Sequence, residues 1–171
     1  RLKSPRVGLE GLRLHDLLPL ANTPDTAVRA SVGRAILRIT DANRVTLILE
    51  AITTSTEIGQ RFLRKLLSVF PTDEVKPPLA RFFSTQDKRR RRMAVEILRE
   101  LPLETFEPML AEALNDPDSE IRLSALSKLK DSERPDTRKA ISDLEEDPEE
   151  RVRVAVVQSL AAKPRIEDIE L

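Results

Sequence analysis

The stretch from Asp116 to Leu129, DPDSEIRLSALSKL, returns 31 residues later as DPEERVRVAVVQSL, from Asp147 to Leu160. Asp116, Pro117, Ile121, Arg122 and Leu129 recur as Asp147, Pro148, Val152, Arg153 and Leu160. Three periods upstream, TPDTAVRASVGRAI keeps Pro24, Val28, Arg29 and Ile36 in register. This period constrains the chain more than any other feature. A unit so short cannot bury its apolar face alone and has to stack on copies of itself.

Where residue identity fades, the register persists. The column Ile36, Leu67, Leu98, Leu129, Leu160 is aliphatic throughout. Four residues before it, Val32, Leu63, Ala94, Ala125 and Val156 are apolar and often small. Positions four apart share one face of an α-helix. Ile39, Phe70 and Leu101 continue that face. A second set of columns lies upstream: Leu17, Ile48, Leu79, Leu110, Ile141, then Ala21, Ile52, Phe83, Leu114. Leu20, Ala51, Phe82, Ala113 and Leu144 form a third row. Each unit therefore reads as two antiparallel helices, A then B. The A helices are expected near 10–21, 42–52, 73–83, 104–114 and 136–145, and the B helices near 25–39, 56–69, 87–101, 118–131 and 149–162.

The punctuation agrees. Pro24, Pro117 and Pro148 stand at or just before B-helix starts, where a missing N–H costs nothing. Asp25, Thr56, Asp87, Asp118 and Glu149 place polar or acidic groups at the same ends, favoured by capping and the helix dipole. Pro71, Pro102 and Pro164 close B helices, and Pro77 and Pro108 are expected to bend or offset A helices. A single domain over 1–171 results, with repeats at 10–40, 41–71, 72–102, 103–133 and 134–164. Residues 1–9 read as a lead-in, and 165–171 as the start of a further helix that exposes Ile166, Ile169 and Leu171. The chain is expected to be a piece of a longer protein.

Composition narrows the choice of core and chemistry. With only five Phe as aromatics, the core has to be built from Leu, Ile, Val and Ala, which favours packed helices over an aromatic-rich sandwich. The absence of Cys excludes disulfides, thiolate metal sites and a cysteine nucleophile, and fits a cytoplasmic setting. No apolar run approaches the roughly 18 residues of a membrane span. The formal net charge of zero hides an asymmetry. Residues 1–102 hold 19 Lys/Arg against 11 Asp/Glu, and residues 103–171 hold 10 against 18.

The B-helix motif DPDSEIRLSAL, with DPEERVRVAVV and TPDTAVRASVG, resembles the HEAT repeat. The uniform short period looks like the bacterial HEAT-like form also found in phycobilisome lyases. The resemblance is strong in repeats 1, 4 and 5. Repeat 2 departs from it with Gly59 and Gln60 in place of Val-Arg, and repeat 3 with Arg90 in the Val/Ile position. It implies an all-α fold, a right-handed α-solenoid of about five two-helix repeats with the B helices on its concave side. In that family the column Arg29, Arg91, Arg122, Arg153, interrupted by Gln60, would bond an acidic or carbonyl group at the turn of a neighbouring repeat. A ligand-binding role for the column is the alternative.

The concave wall of such a solenoid would present Arg34, Lys65, Glu96, Ser127 and Gln158, together with Arg61 and Arg92. The run Lys88-Arg89-Arg90-Arg91-Arg92 stands out locally. Arg89 and Arg92, with Arg34, Arg61 and Lys65, form a candidate basic patch for an acidic protein or peptide, or for phosphates. Its alternative is a solvated helix start neutralised by Asp87, Glu57 and Glu96. No aromatics interleave with these cations, so the signal for nucleic acid is weak. The acidic segment from Asp143 to Glu150 matches no calcium loop, and His15, the only His, has no nucleophile paired with it. The expected function is a non-enzymatic protein-binding scaffold without cofactor or metal. The alternatives are a nucleic-acid binder of the HEAT-like DNA glycosylase kind, or the HEAT portion of a larger enzyme such as a bilin lyase.

Overall fold

The computed structural model describes residues 13–162, and for Leu160, Ala161 and Ala162 the backbone alone. Every element among them is helical, so the fold is all-α. Helix α1 (Leu14–Leu17) continues as a 3₁₀ turn over Leu18–Asn22 and is followed by α2 (Thr26–Arg38), α3 (Arg44–Thr54) and α4 (Glu57–Leu67). Then come α5 (Thr72–Phe83), α6 (Lys88–Glu100) and α7 (Leu103–Glu112), the last ending in a 3₁₀ turn over Ala113–Asn115. Helices α8 (Ser119–Leu129), α9 (Pro135–Ser142, with a 3₁₀ turn over Asp143–Glu146) and α10 (Glu150–Ala162) complete the series. Odd-numbered helices are the A members of the pairs and even-numbered ones the B members. The chain divides into two compact units, Arg1–Leu79 and Ala80–Leu171, with the boundary inside α5. No helix among the described residues is long and apolar enough to cross a membrane. The expected lead-in over 1–9, Pro164 and the apolar residues Ile166, Ile169 and Leu171 lie outside the described residues.

Local chemistry fixes the B-helix starts. The Asp25 carboxylate accepts the Ala27 and Val28 N–H groups at 2.8 and 3.1 Å. Asp87 accepts Arg89 and Arg90 at 2.8 and 3.4 Å, Asp118 accepts Ile121 at 3.3 Å, and the Thr56 hydroxyl accepts Gly59 at 3.4 Å. Each cap satisfies amides that the helix cannot, for about 1 kcal/mol. Pro77 and Pro108 sit within α5 and α7 on solvent-exposed positions, where water can reach the carbonyls they leave unpaired.

The B-helix columns are buried in both units. Ile36, Leu67, Leu98 and Leu129 are no more than 1% exposed, as are Val32, Leu63, Ala94, Ala125 and Val156. The side chain of Leu160 lies outside the described residues. The A-helix columns Leu17, Ile48, Leu79, Leu110, Ile141 and Ala21, Ile52, Phe83, Leu114 are buried as well. The third row holds only from α5 onward. Phe82, Ala113 and Leu144 are buried, but Leu20 is 40% exposed and Ala51 half-buried. In the first two A members the burial moves to Leu18, in the 3₁₀ turn after α1, and to Leu49 in α3, at a position where α9 has the exposed Ser142. Two large aliphatics there turn the apolar stripe to a different edge of the helix.

Repeat 2 departs from the motif at Gly59 because another side chain occupies the space. A Cβ on Gly59 would lie 2.2 Å from Asn22 Oδ1 and 3.1 Å from Ser55 Cβ. That oxygen accepts the Thr56 N–H at 2.8 Å and the Thr56 hydroxyl at 3.0 Å, tying the end of the first A helix to the start of α4. Gly59→Ala is expected to push the amide out and lose about 1–3 kcal/mol in urea unfolding. Made in an Asn22→Ala background, the same substitution should lose much less, because the obstacle is gone. Equal losses in the two backgrounds would contradict this explanation.

Candidate functional site

Most of the cations described in unit 1 lie on its two B helices, α2 and α4. Together these helices carry Arg29, Arg34, Arg38, Arg61, Arg64 and Lys65 against the single carboxylate of Glu57. Arg34 is exposed and donates to the Ser31 hydroxyl at 2.9 Å. Arg61 is exposed and 3.7 Å from an equally exposed Glu57, a pair of little energetic weight in water. Lys65 is exposed one turn further along α4. Between the start of α2 and α4 runs an open groove of about 500 Å³. Pro24, Ile58 and Phe62 are the apolar residues of its lining, and Arg29, Arg61 and Lys65 outnumber Glu57 among the charged ones. Ile58 is 46% exposed there.

Unit 2 treats its cations differently. In the Lys88–Arg92 run, Lys88 pairs with Asp118, and Arg91 forms a two-pronged bond with Asp116 at 2.8 and 3.2 Å. Arg90 stands 3.9 Å from Asp87 and over the Phe82 ring, and Arg92 lies 3.6 Å from Glu96. Arg89 and Arg92 are exposed on α6. The Lys88 ammonium bonded to Asp118 holds that carboxyl below its ordinary pKa, against the opposing effect of burial. Thus Arg34, Arg61 and Lys65 share unit 1, two of them on one groove, while Arg89 and Arg92 belong to unit 2 among matched carboxylates.

The Arg column has a consistent local geometry. One Nη1 edge reaches back to the carbonyl six residues earlier: Arg29 to Thr23, Arg91 to Thr85, Arg122 to Asp116 and Arg153 to Asp147. Gln60 reaches only five residues back, to Ser55 O at 3.0 Å. The other edge depends on what stands 25 residues on. Arg91 meets Asp116 and Arg122 meets Asp147, the latter through two bonds of 2.7 Å. Thr54 and Thr85 occupy the corresponding positions for Arg29 and Gln60, so there the residue braces its own turn. Burial pushes the Asp147 carboxyl up, but the Arg122 bonds, the Glu149 N–H and the charges of Arg122 and Arg153 outweigh it and hold its pKa low. Unit 1 joins its pairs by other means. Arg44 on α3 forks onto Glu74 on α5 and lies 4.8 Å from the Phe70 ring centroid. That guanidinium holds the Glu74 carboxyl low.

One buried polar cluster carried no repeat signature. Glu107 on α7 is 5% exposed and accepts from the Ser132 hydroxyl and from Thr137 Oγ1 at 2.7 Å, with Arg134 Nε at 3.9 Å. Ser132 in turn accepts the Arg134 N–H at 3.2 Å. The cluster fixes the turn into α9. The one sequence signal is that its column is apolar at the buried Leu14 and Val45, and even that is interrupted by the exposed Lys76. His15 is exposed beside Asp16, at 3.0 Å. Among the described residues no group of three or more His, Asp or Glu is placed to hold a metal ion.

No match was found among curated proteins. The sequence pattern of the HEAT repeats family matches residues 106–168, the stretch that holds the Arg122–Asp147 pair and the last two helix pairs from within α7 onward. HEAT repeats in general are protein-interaction scaffolds, and over those residues this chain is similar to them.

Proposed function

We propose that this chain is a non-catalytic protein-binding scaffold that takes an acidic protein segment on the exposed face of its B helices. One observation carries the reading. On the groove beside α2 and α4, Arg29, Arg61 and Lys65 outnumber Glu57, whereas in the Lys88–Arg92 run Lys88 is bonded to Asp118, Arg91 to Asp116, and Arg90 and Arg92 stand beside Asp87 and Glu96. An excess of positive charge on two adjacent exposed helices attracts acidic partners and orients their approach. Burial supports the same division of labour. The columns facing the core are apolar, while at one repeated position Arg34, Lys65, Ser127 and Gln158 are exposed and Glu96 is half-buried, so residues there vary without disturbing the core.

The test is capture from a nuclease-treated extract of the native source on immobilised protein. The triple variant Arg34→Glu, Arg61→Glu, Lys65→Glu should retain the captured partner at least about tenfold less, as expected when several attractive pairs become repulsive. Its circular dichroism should match that of the unaltered chain. Undiminished capture by a folded variant would remove the basic face of unit 1 as the binding surface.

A further inference from the structure

We infer that the groove between α2 and α4 is a docking site for an acidic peptide segment bearing one apolar anchor residue. This deepens the proposed function and rests on it. The groove combines two features that charge alone does not require. Its lining includes a contiguous apolar set, Ile58 left 46% exposed with Phe62 and Pro24, along an open groove of about 500 Å³. Its lining is also cationic, with Arg61 and Lys65 one helical turn apart on the same side of α4. An anchor on the apolar set brings neighbouring carboxylates to those cations.

The walls are held in place. Arg29 is tied to the Thr23 carbonyl, Asp25 caps α2, and Thr56 caps α4 while donating to Asn22 Oδ1. Phe62 packs against Gly33 of α2, where even a Cβ would stand 3.2 Å from its ring. Phe62 is the one aromatic among the groove's lining residues, so the groove offers no succession of stacking platforms of the kind that single-stranded nucleic acid uses. Glu57 in the same lining further disfavours a continuous run of phosphates.

Fluorescence anisotropy on the full chain tests the inference with two labelled decapeptides of Asp and Glu, one containing a central Leu and the other Ser in its place. A single-stranded oligonucleotide of equal charge serves as the third probe. The Leu peptide should bind about tenfold tighter than the Ser peptide, the effect of burying much of one aliphatic side chain. Ile58→Ser, at an exposed position, should erase that difference while leaving the weaker binding intact. Arg61→Glu with Lys65→Glu should abolish binding of both peptides. Equal affinity for the two peptides would overturn the anchor site yet leave the basic-face reading standing. Binding of neither, with native-partner capture still lost in the triple variant, would overturn the groove alone. Tighter binding of the oligonucleotide than of either peptide would overturn both.

Discussion

Replacing Arg122 with Met is expected to lower stability by about 3–5 kcal/mol, the range for breaking a buried ion pair from one side. The pair is shielded from water, with side chains 9% and 3% exposed. Arg122 holds four acceptors at once: both Asp147 oxygens and the carbonyls of Asp116 and Pro117. Met leaves the Asp147 carboxylate buried with little besides the Glu149 N–H at 2.9 Å. Asp147→Asn should cost less, about 1–3 kcal/mol, since the amide oxygen can still accept from Arg122 or Glu149 and the guanidinium keeps the carbonyls of Asp116 and Pro117. The exposed pair Arg151–Glu120, at 68% and 51% exposure, provides the contrast, and its removal should cost under about 1 kcal/mol. In a stack of repeats the loss falls on one interface, so hydrogen exchange should rise first in α9 and α10. Urea unfolding with exchange measurements checks this. A loss as small as that at Arg151 would contradict it.

The same pair sets the response to acid. The carboxyl of Asp147 titrates lower in the folded chain than its ordinary value of 3.8, and those of Asp118 and Glu74 are lowered too. Groups shifted this way contribute stability that is fully present above about pH 5 and is lost as pH falls through the folded values. The urea midpoint should therefore drop progressively below about pH 4, and less steeply in Asp147→Asn.

Leu98→Ala is expected to cost about 2–5 kcal/mol, because the cavity adds to the lost transfer energy. Leu98 is 1% exposed in α6, in the column it shares with Ile36, Leu67 and Leu129. Leu20→Ala, at 40% exposure, should stay within about 1 kcal/mol although the repeat pattern put it in an apolar row. Urea midpoints of the two variants decide the matter. Similar losses would mean that the burial pattern does not describe the core.

The B helices were legible because their determinants are local. A cap such as Asp25 or Asp87 acts within three residues, and the apolar face needs only the helical period. What escaped depends on neighbours distant in sequence. The vacancy that demands glycine at position 59 is created by Asn22, and the stripe in the first two A members follows Leu18 and Leu49. Glu107 was missed because Ser132 and Thr137 lie 25 and 30 residues on and do not recur with the period. The candidate patch shows the same limit. Five consecutive cations look alike in sequence, yet carboxylates from the following turn engage Lys88 and Arg91, while Arg61 and Lys65 line a groove.

The central claim is that equivalent residues of successive repeats do equivalent work, with an Arg of one clamping an Asp of the next where both are present. A double-mutant cycle across Arg122 and Asp147, using Arg122→Met and Asp147→Asn, measures that clamp directly. A coupling of about 1–3 kcal/mol is predicted, because the pair is in contact and buried. Additive losses, with a coupling under about 0.5 kcal/mol, would show that the two side chains are stabilised independently and that the repeats are held together by something else.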